Sequence, residues 1–332
     1  MVIRTAVIGT GNMGRNHARV YSKLAGSELV AIADVSDDSK SLAARFGCSY
    51  YSDYIEMLDS EKIDALSISV PTSLHRNVAI ECLKRGVHVL IEKPIASTVE
   101  EAEEIIAAAV ERGAILMVGH IERFNPAVQR LKEIIDEKIG TPTSIIARRV
   151  GIFPPQIKDA NVIIDLAVHD IDIFNYLLGE RPIEVFAKSG DALKSGREDH
   201  AIITLSYDET DCVVQVNWIT PVKVREIAVT GTKGYAELNY ITQELRVFES
   251  SVEKSYDSFG DFVLSFGTPR ETVLNVDRVE PLRSEIAHFI DCVENKTAPL
   301  VTGEDGLYAL LTATKAIESS KVGAPVKMGG ER

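Results

Sequence analysis

A glycine-rich turn near the start of the chain limits what the first part of the sequence can form. The apolar, β-branched run that begins at Val2 stops at Gly9, and Gly11 and Gly14 complete G-x-G-x-x-G at the start of a helical pattern. Gly9 permits a tight turn, Gly11 lets backbone approach a phosphate, and Gly14 lets helix and strand pack closely. Helix N–H groups then hold the phosphates. The pattern predicts a dinucleotide site; the alternative is three glycines that only punctuate a loop.

An acidic residue stands where this prediction requires one. Asp34 ends the next apolar run, where its carboxylate can accept hydrogen bonds from the adenosine ribose hydroxyls. A carboxylate repels a 2′-phosphate, and residues 35–38 supply no arginine to receive one. We therefore expect NAD rather than NADP as the cofactor. Asn12 and Met13, inside the glycine pattern, are expected to contact it as well.

Composition narrows the range of partners. The 332 residues suffice for two domains, and 45% hydrophobic with 26% charged residues is typical of a soluble globular protein. A net charge of −13 disfavours nucleic acid and anionic membranes as partners. We see no secretory signal and no apolar segment long enough to span a bilayer, so we expect a cytoplasmic protein. No zinc site or disulfide framework is indicated, and we expect four buried thiols, Cys48, Cys82, Cys212 and Cys292.

Apolar runs and helical patterns alternate through the first 120 residues. This alternation predicts parallel strands joined by right-handed crossovers, hence an α/β domain with a doubly wound sheet over residues 1–120. After the first two strands, the predicted elements are a helix at Ser39–Phe46, a strand at Ala65–Val70, a helix at Leu74–Arg85, a strand at Val87–Ile91, a helix at Val99–Arg112 and a strand at Ile115–Val118.

The second part, residues 121–332, has a different texture. Short alternating runs separated by turn residues predict an antiparallel sheet, with a helix over Ile164–Leu178 as its cover. The polar stretch Glu249–Val279 is interpreted as a long excursion or loop, two helices follow, and the end of the chain is interpreted as a tail. The predicted strands are Ser144–Val150, Glu184–Lys188, Ala201–Tyr207, Cys212–Trp218, Arg225–Thr230, Tyr235–Leu238 and Glu244–Phe248; the late helices are Pro281–Glu294 and Glu304–Ser319, and the tail is Gly323–Arg332.

A Glu92-Lys93-Pro94 tripeptide follows the predicted strand Val87–Ile91. Reactive groups of doubly wound sheets lie at the carboxyl ends of strands. Lys93 there can donate a hydrogen bond to a substrate hydroxyl and stabilise developing oxyanion character, and Glu92 can reach the nicotinamide ribose. Pro94 would stiffen the turn, with a cis bond as one way to do so. The alternative is a solvated Glu-Lys pair beside a proline turn.

The helical segment 161–179 carries ionisable groups although most of its faces are apolar. Asp165, His169, Asp172 and Tyr176 have i, i+4, i+7, i+11 spacing, which predicts one stripe on a regular helix. Ionisable groups on a buried helix need partners or a function. We interpret His169 as a general base that takes an alcohol proton, with Asp165 orienting its imidazole. A metal is the competing use, but no accompanying ligand motif is found; the other alternative is a satisfied histidine at a domain interface.

Two further segments follow predicted strands. Pro71, Thr72 and His75 are expected to contact the adenosine half of the cofactor, although Thr72 or Ser73 can instead cap the next helix.

In Gly119–Pro126, Arg123 and Asn125 are expected to contact the substrate, since an arginine suits a phosphorylated or carboxylated ligand. A domain-crossing loop with a helix cap is the alternative interpretation of this segment.

Together these motifs resemble the Gfo/Idh/MocA family of sugar oxidoreductases over essentially the whole chain. The resemblance implies a Rossmann domain, a C-terminal α+β domain with a large open sheet, and last helices that return to the first domain. It also implies catalysis by Lys93, Asp165 and His169, and an oligomer interface, dimer or tetramer, on the outer sheet face. One departure is Lys158-Asp-Ala-Asn-Val162, where many members have a glycine-rich run. The motifs are the glycine pattern with Asp34, Pro71-Thr72 with His75, Glu92-Lys93-Pro94, Asp165-x-x-x-His169-Asp170, Pro281-Leu-Arg-Ser-Glu285 and Thr302-Gly-Glu-Asp-Gly306.

Within the family, Gly119–Pro126 and the following helix resemble UDP-N-acetylglucosamine 3-dehydrogenases. That resemblance implies NAD-dependent oxidation of the sugar C3 hydroxyl to a ketone. The alternatives are a free-polyol dehydrogenase of the inositol or glucose type, a non-catalytic NAD-binding sensor, and an NAD-dependent glycosidase. A sugar or sugar nucleotide is the expected partner, and no metal is expected.

Overall fold

The chain forms two compact units in the computed structural model, which describes residues 2–152, 160–249, 252–256, 262–266 and 270–329. The first unit contains the described residues up to Phe124 together with Val279–Thr314, and most other described residues form the second unit. The proposed boundary after residue 120 stays a prediction. Lys158 and Asp159, in the segment that departs from the family pattern, lie outside the described residues.

The first unit is built on a six-stranded sheet in which every pairing is parallel. The strand order is β3-β2-β1-β4-β5-β6, so the chain reverses its direction of travel across the sheet between β1 and β4. This order is that of a doubly wound dinucleotide-binding sheet, and the predicted fold class is confirmed. The strands are β1 Ile3–Ile8, β2 Ser27–Ala33, β3 Ser49–Tyr51, β4 Ala65–Ile68, β5 His88–Glu92 and β6 Leu116–Gly119.

The helices that join these strands follow the apolar periodicity of the sequence. Two short elements, β3 and the seven-residue helix after it, were not predicted, because neither is long enough to show a period. A 3-10 helix, Ile121–Phe124, follows β6. The α-helices are α1 Asn12–Tyr21, α2 Asp38–Phe46, α3 Tyr54–Ser60, α4 Thr72–Lys84 and α5 Val99–Arg112.

The second unit contains a nine-stranded sheet in the order β16-β13-β12-β11-β7-β10-β9-β8-β17. Its pairings are antiparallel except for the parallel pair β10 and β7, which confirms the predicted large, mainly antiparallel sheet. β14 and β15 pair separately. The strands are β7 Pro142–Ile152, β8 Glu184–Gly190, β9 His200–Ser206, β10 Asp211–Asn217, β11 Ile219–Gly231, β12 Gly234–Asn239, β13 Glu244–Glu249, β14 Val252–Tyr256, β15 Phe262–Phe266, β16 Arg270–Leu274 and β17 Val326–Lys327.

Two stretches predicted to be irregular contain strands. The interpretation of Glu249–Val279 as an excursion or loop was wrong for β14, β15 and β16, and that of Gly323–Arg332 as a tail was wrong for β17. β16 and β17 are the outermost strands of their sheet, and β16 is largely exposed, so no alternation of apolar and polar residues marks it.

The second unit also contains two helices that include wide π turns. α6, Pro126–Ile134, runs into a π turn at Ile135–Ile139. The predicted helix Ile164–Leu178 begins as a π turn, Ile163–Ala167, and continues as α7, Val168–Leu178. Late in the chain, α8 spans Pro281–Asn295 and α9 spans Gly303–Val322, as their periodicity predicted.

Among the described residues, no helix combines the length and apolar character needed to cross a membrane. All four cysteines are free thiols, and three are buried as expected. Cys48 is only half-buried, because it follows the glycine that ends α2 rather than lying inside an element.

Candidate active site

The glycine-rich turn between β1 and α1 leaves one of its glycines facing open space. A Cβ on Gly14 would lie 1.8 Å from the Gly9 carbonyl oxygen, and a Cβ on Gly9 would lie 2.7 Å from the Ser69 carbonyl oxygen. Gly9 also has φ +85°, which favours glycine. At Gly11, the N-cap of α1, a Cβ would meet nothing within 4 Å. The turn is therefore packed on the inside and open at the helix N-terminus, which fits a bound pyrophosphate.

Asp34, directly after β2, is held against the glycine-rich turn. Its Oδ2 accepts hydrogen bonds from the Thr10 backbone N–H at 2.5 Å and the Thr10 hydroxyl at 2.9 Å. Its Oδ1 accepts from the Ser36 backbone N–H at 2.7 Å. Thr10 is tied in turn to Ser39 through their hydroxyls at 2.5 Å. The side chain predicted to bind the adenosine ribose is thus fixed beside the phosphate turn, half-exposed to solvent.

Glu92 ends β5 and is hydrogen-bonded on both carboxylate oxygens. Oε1 accepts from His17 Nε2 at 3.0 Å and Oε2 from the Lys93 backbone N–H at 3.2 Å. Burial alone would raise the pKa of Glu92, but the hydrogen bond and charge of His17 and the charge of Lys93 hold that pKa below its ordinary value. Glu92 is therefore ionised at neutral pH. Lys93 itself is half-buried, and the Lys93–Pro94 bond is cis.

His17 continues this contact into the sheet. Its Nδ1 lies 2.9 Å from the Ser67 hydroxyl on β4, which lies 2.8 Å from the Tyr21 hydroxyl. His17, Ser67 and Tyr21 were missed in the sequence analysis. A polar serine within the apolar run of β4 was the available signal, because a buried hydroxyl needs a partner.

Pro71 and Thr72, after β4, lie at the start of α4, whereas His75 is buried. Pro71 is the exposed N-cap of α4, and Thr72 is its first residue. His75 is buried, with its ring nitrogens 2.9 Å from the Pro94 carbonyl and 3.0 Å from the Val70 carbonyl. Burial lowers the pKa of His75 despite these carbonyls. His75 thus links the backbone of two loops; cofactor contacts by all three residues stay predictions.

Arg123 and Asn125 are both buried, and each forms hydrogen bonds within its own unit. Arg123 donates to the Leu300 carbonyl at 3.0 Å and pairs with Asp305 at 3.2 Å. Asn125 caps α6 through the Ala127 N–H at 3.1 Å and donates to the Tyr240 carbonyl at 3.0 Å. The helix-cap interpretation describes Asn125. The substrate contacts expected of both residues stay predictions.

Asp165 and His169 lie half-buried on either side of the change from π turn to α7. Asp165 Oδ2 accepts a hydrogen bond from Trp218 Nε1 at 3.3 Å. Asp172 is buried and Tyr176 is half-buried. The predicted stripe assumed a regular α-helix from Asp165 onward; this was wrong for its first turn, because the π turn alters the angular spacing there.

The remaining carboxylate of the helix, Asp170, is buried against Arg149 of β7. Arg149 was missed in the sequence analysis, since nothing local distinguishes it from the neighbouring Arg148. Within the described residues, no group of three or more His, Cys, Asp or Glu side chains is arranged to hold a metal ion.

Comparison with known proteins covers almost the entire chain. Residues 3–120 match the Gfo/Idh/MocA family description "Oxidoreductase family, NAD-binding Rossmann fold", and residues 132–328 match its "C-terminal alpha/beta domain". The chain is 29% identical to UDP-N-acetylglucosamine 3-dehydrogenase of Acidithiobacillus ferrooxidans, covering 96% of this chain and 98% of the relative. It is 28% identical to scyllo-inositol 2-dehydrogenase (NAD(+)) of Bacillus subtilis, covering 99% and 97%.

A solved structure shares the architecture. UDP-N-acetylglucosamine 3-dehydrogenase GnnA from Acidithiobacillus ferrooxidans superposes with a TM-score of 0.85 at 27% identity, covering 96% of this chain and 98% of that one.

Proposed function

Since the chain belongs to the Gfo/Idh/MocA family of oxidoreductases, we propose that it oxidises the C3 hydroxyl of UDP-N-acetylglucosamine to a ketone. At the level of the family, it is an NAD-binding sugar or polyol dehydrogenase that acts on CH–OH groups. Bound NAD would supply the acceptor for the hydride of the carbinol carbon. Oxidation also removes the hydroxyl proton, and we assign its acceptor to a side chain of the protein.

We assign one set of residues to cofactor binding and another to the reaction of the substrate. The open helix N-terminus at Gly11 receives the pyrophosphate, and Asp34 accepts hydrogen bonds from the adenosine ribose. His169 takes the hydroxyl proton as general base, and Asp165 orients it. Lys93 donates a hydrogen bond to the substrate oxygen as negative charge develops on it.

The observation that supports the substrate is the end-to-end similarity to UDP-N-acetylglucosamine 3-dehydrogenase in both sequence and fold. The second candidate is a free inositol, because an inositol dehydrogenase is nearly as similar over the same length. The two substrates differ in one chemical respect that an experiment can use: only the first carries a diphosphate and a base.

The test mixes purified protein and NAD with UDP-N-acetylglucosamine, myo-inositol, scyllo-inositol or glucose, and follows NADH with a ketone trap present. We expect NADH with the nucleotide sugar alone, together with trapped 3-keto product. NADH only with a free polyol would contradict the nucleotide-sugar substrate and support the second candidate. Binding of NAD without net NADH from any of them would favour the sensor or glycosidase alternatives.

A substitution of Lys93 tests whether NADH formation depends on the proposed catalytic residue. Lys93→Ala should lower kcat by about 10²- to 10⁴-fold with little change in NAD affinity, because it removes a group that acts on the reacting oxygen. Lys84→Ala, exposed at the end of α4, is the matched control and should keep full turnover. Near-normal turnover of Lys93→Ala would overturn the role proposed for Lys93.

We also propose that the enzyme acts in the cytoplasm as a homo-oligomer, a dimer or tetramer formed through the outer face of the nine-stranded sheet. Ile146, Ile202 and Val273 are each more than half exposed on that face. Exposed apolar side chains on the face of a nine-stranded sheet are the kind of surface that a second copy covers.

A further inference from the structure

In the sequence, His169 lies between two carboxylates, Asp165 and Asp170, and each of them is bonded to a side chain of the same unit. On one side, in the π turn, Asp165 is bonded to the buried Trp218. On the other side, Asp170 directly follows His169 and pairs with Arg149. Arg149 Nε lies 2.7 Å from Asp170 Oδ2, and its Nη2 lies 3.1 Å from Oδ1. The side chains of this bidentate pair are only 5% and 1% exposed.

The guanidinium is itself held in place. It lies 4.9 Å from the ring centroid of Tyr240, in the geometry of a cation–π contact. The backbone carbonyl of Tyr240 accepts the hydrogen bond from Asn125, the cap of α6. Arg149 is therefore fixed by β7, by Tyr240 and by Asp170, and it cannot follow a movement of the helix without losing these contacts.

The helix needs such an anchor because of the π turn. In a π turn the backbone bonds run from i to i+5 rather than i to i+4, so the turn holds one residue more than an α turn. A displacement by one residue rotates every following side chain by about 100° around the helix axis. His169 is the second residue of α7, directly after Ile163–Ala167, so its direction depends on where the π turn ends.

We propose that Arg149 is a positioning residue: its bidentate pair with Asp170 fixes the register of α7 after the π turn and thereby the direction of His169. The proposal rests on the proposed function in one respect, namely that His169 is the general base. Arg149 acts through Asp170 and the helix backbone rather than by touching the reacting atoms. The pair can be replaced at similar volume by methionine at 149 with leucine at 170, or by lysine at 149 with asparagine at 170. Neither replacement can form two parallel charged hydrogen bonds.

The experiment separates register from stability. Arg149→Met and Asp170→Leu are made singly and together, because each single change leaves a buried charge without its partner and lowers Tm. In the double variant neither charge remains, so Tm should recover. We expect kcat to stay about 10- to 100-fold below wild type in the double variant, with unchanged NAD affinity, since the general base is displaced while the cofactor residues are intact.

Hydrogen exchange measures the helix without any substrate. Amides of residues 163–170 should exchange faster in the double variant than in wild type, although Tm is restored. Arg149→Lys should fold yet retain the kcat defect, and Arg130→Met, an exposed arginine paired with Glu133 on α6, should match wild type in both assays.

Two results would overturn the proposal. Recovery of kcat together with Tm in the double variant would show that the pair only stabilises the fold. Unchanged exchange of residues 163–170 would show that the register does not depend on Arg149, and it decides the matter even if no tested substrate is oxidised.

Discussion

The imidazole of His17 on α1 contacts Glu92 at the end of β5, with Nε2 3.0 Å from Oε1. Its other nitrogen is bonded to Ser67, so the ring is fixed at both ends and fully buried. Because Glu92 precedes Lys93 and accepts its backbone N–H, His17 supports the turn that carries the proposed catalytic lysine.

Replacing His17 by Phe should therefore affect both stability and cofactor binding. The change leaves Oε1 of Glu92 without its buried partner, while Ser67 keeps only the Tyr21 hydroxyl, which should lower the free energy of unfolding by about 1–3 kcal/mol. NAD affinity should fall as well, because Glu92 is no longer oriented. Urea denaturation and NAD titration measure the two effects. A loss of stability with unchanged NAD affinity would show that Glu92 keeps its position without His17.

Asp34 should set the choice between NAD and NADP. Asp34→Ala removes an acceptor of charged hydrogen bonds from the ribose, each contributing about 1.5–3 kcal/mol, so NAD affinity should fall about 10- to 100-fold while NADP changes much less. Asp37→Ala is the control, since Asp37 is exposed and paired with Lys40. Titration of both cofactors checks this; equal losses for NAD and NADP would refute the role of Asp34.

The glycines of the turn should separate folding from cofactor binding. Gly14→Ala places a methyl group against the Gly9 carbonyl and should cost at least about 2 kcal/mol of stability. Gly11→Ala meets no protein atom, so it should cost no more than about 1 kcal/mol yet weaken NAD at least about tenfold by obstructing the phosphates. Thermal unfolding and NAD titration distinguish them. Normal NAD binding by Gly11→Ala would place the pyrophosphate elsewhere.

The cofactor half of the site could be predicted from sequence because its determinants are local. Gly9, Gly11 and Gly14 lie within six residues, and Asp34 follows one helix later, so spacing alone relates them. Arg149 and Glu285 differ in this respect. No motif relates Arg149 to Asp170, 21 residues later, or Glu285 to the like charge of Glu92, and only the folded packing selects Arg149 over Arg148 or buries one glutamate of α8.

The π turn and the edge strands could not be predicted from the sequence either. The apolar pattern of Ile164–Leu178 predicted a helix correctly, but a π turn uses the same residue types as an α turn and leaves no compositional mark. Likewise β16 and β17 form by pairing at sheet edges, where apolar alternation is weak.

The outer face of the nine-stranded sheet should mediate self-association. Ile146 is 55% exposed on β7, while its neighbours Ile145 and Ala147 point inward and are buried. Ile146→Lys should weaken the oligomer at least about tenfold, because a charge would be buried against the partner copy. Light scattering after size exclusion measures this, with Val110→Lys on α5, also exposed, as the control. A monomeric wild type would contradict the proposed interface.

Glu285 on α8 is a fully buried carboxyl with a different protonation from Glu92. Within the described part of the chain, neither of its oxygens has a hydrogen-bond partner, whereas both oxygens of Glu92 do. Burial, with the negative charge of Glu92 added, raises the pKa of Glu285 well above its ordinary value. The charge of Glu285 acts on the hydroxyl of Tyr21 on α1. Arg123, in the 3-10 helix Ile121–Phe124 that packs against α8, pairs with Asp305.

This difference predicts how stability depends on pH. In the unfolded chain Glu285 loses its proton near pH 4.3, but in the folded protein it keeps it to higher pH, so stability falls as pH rises above about 4.3. Glu285→Gln is neutral in both states and abolishes that loss. The Tm of Glu285→Gln relative to wild type should therefore increase from pH 5 to pH 8, while the exposed control Glu103→Gln shows no such trend. A constant difference in Tm across this range would mean that Glu285 is ionised in the folded protein.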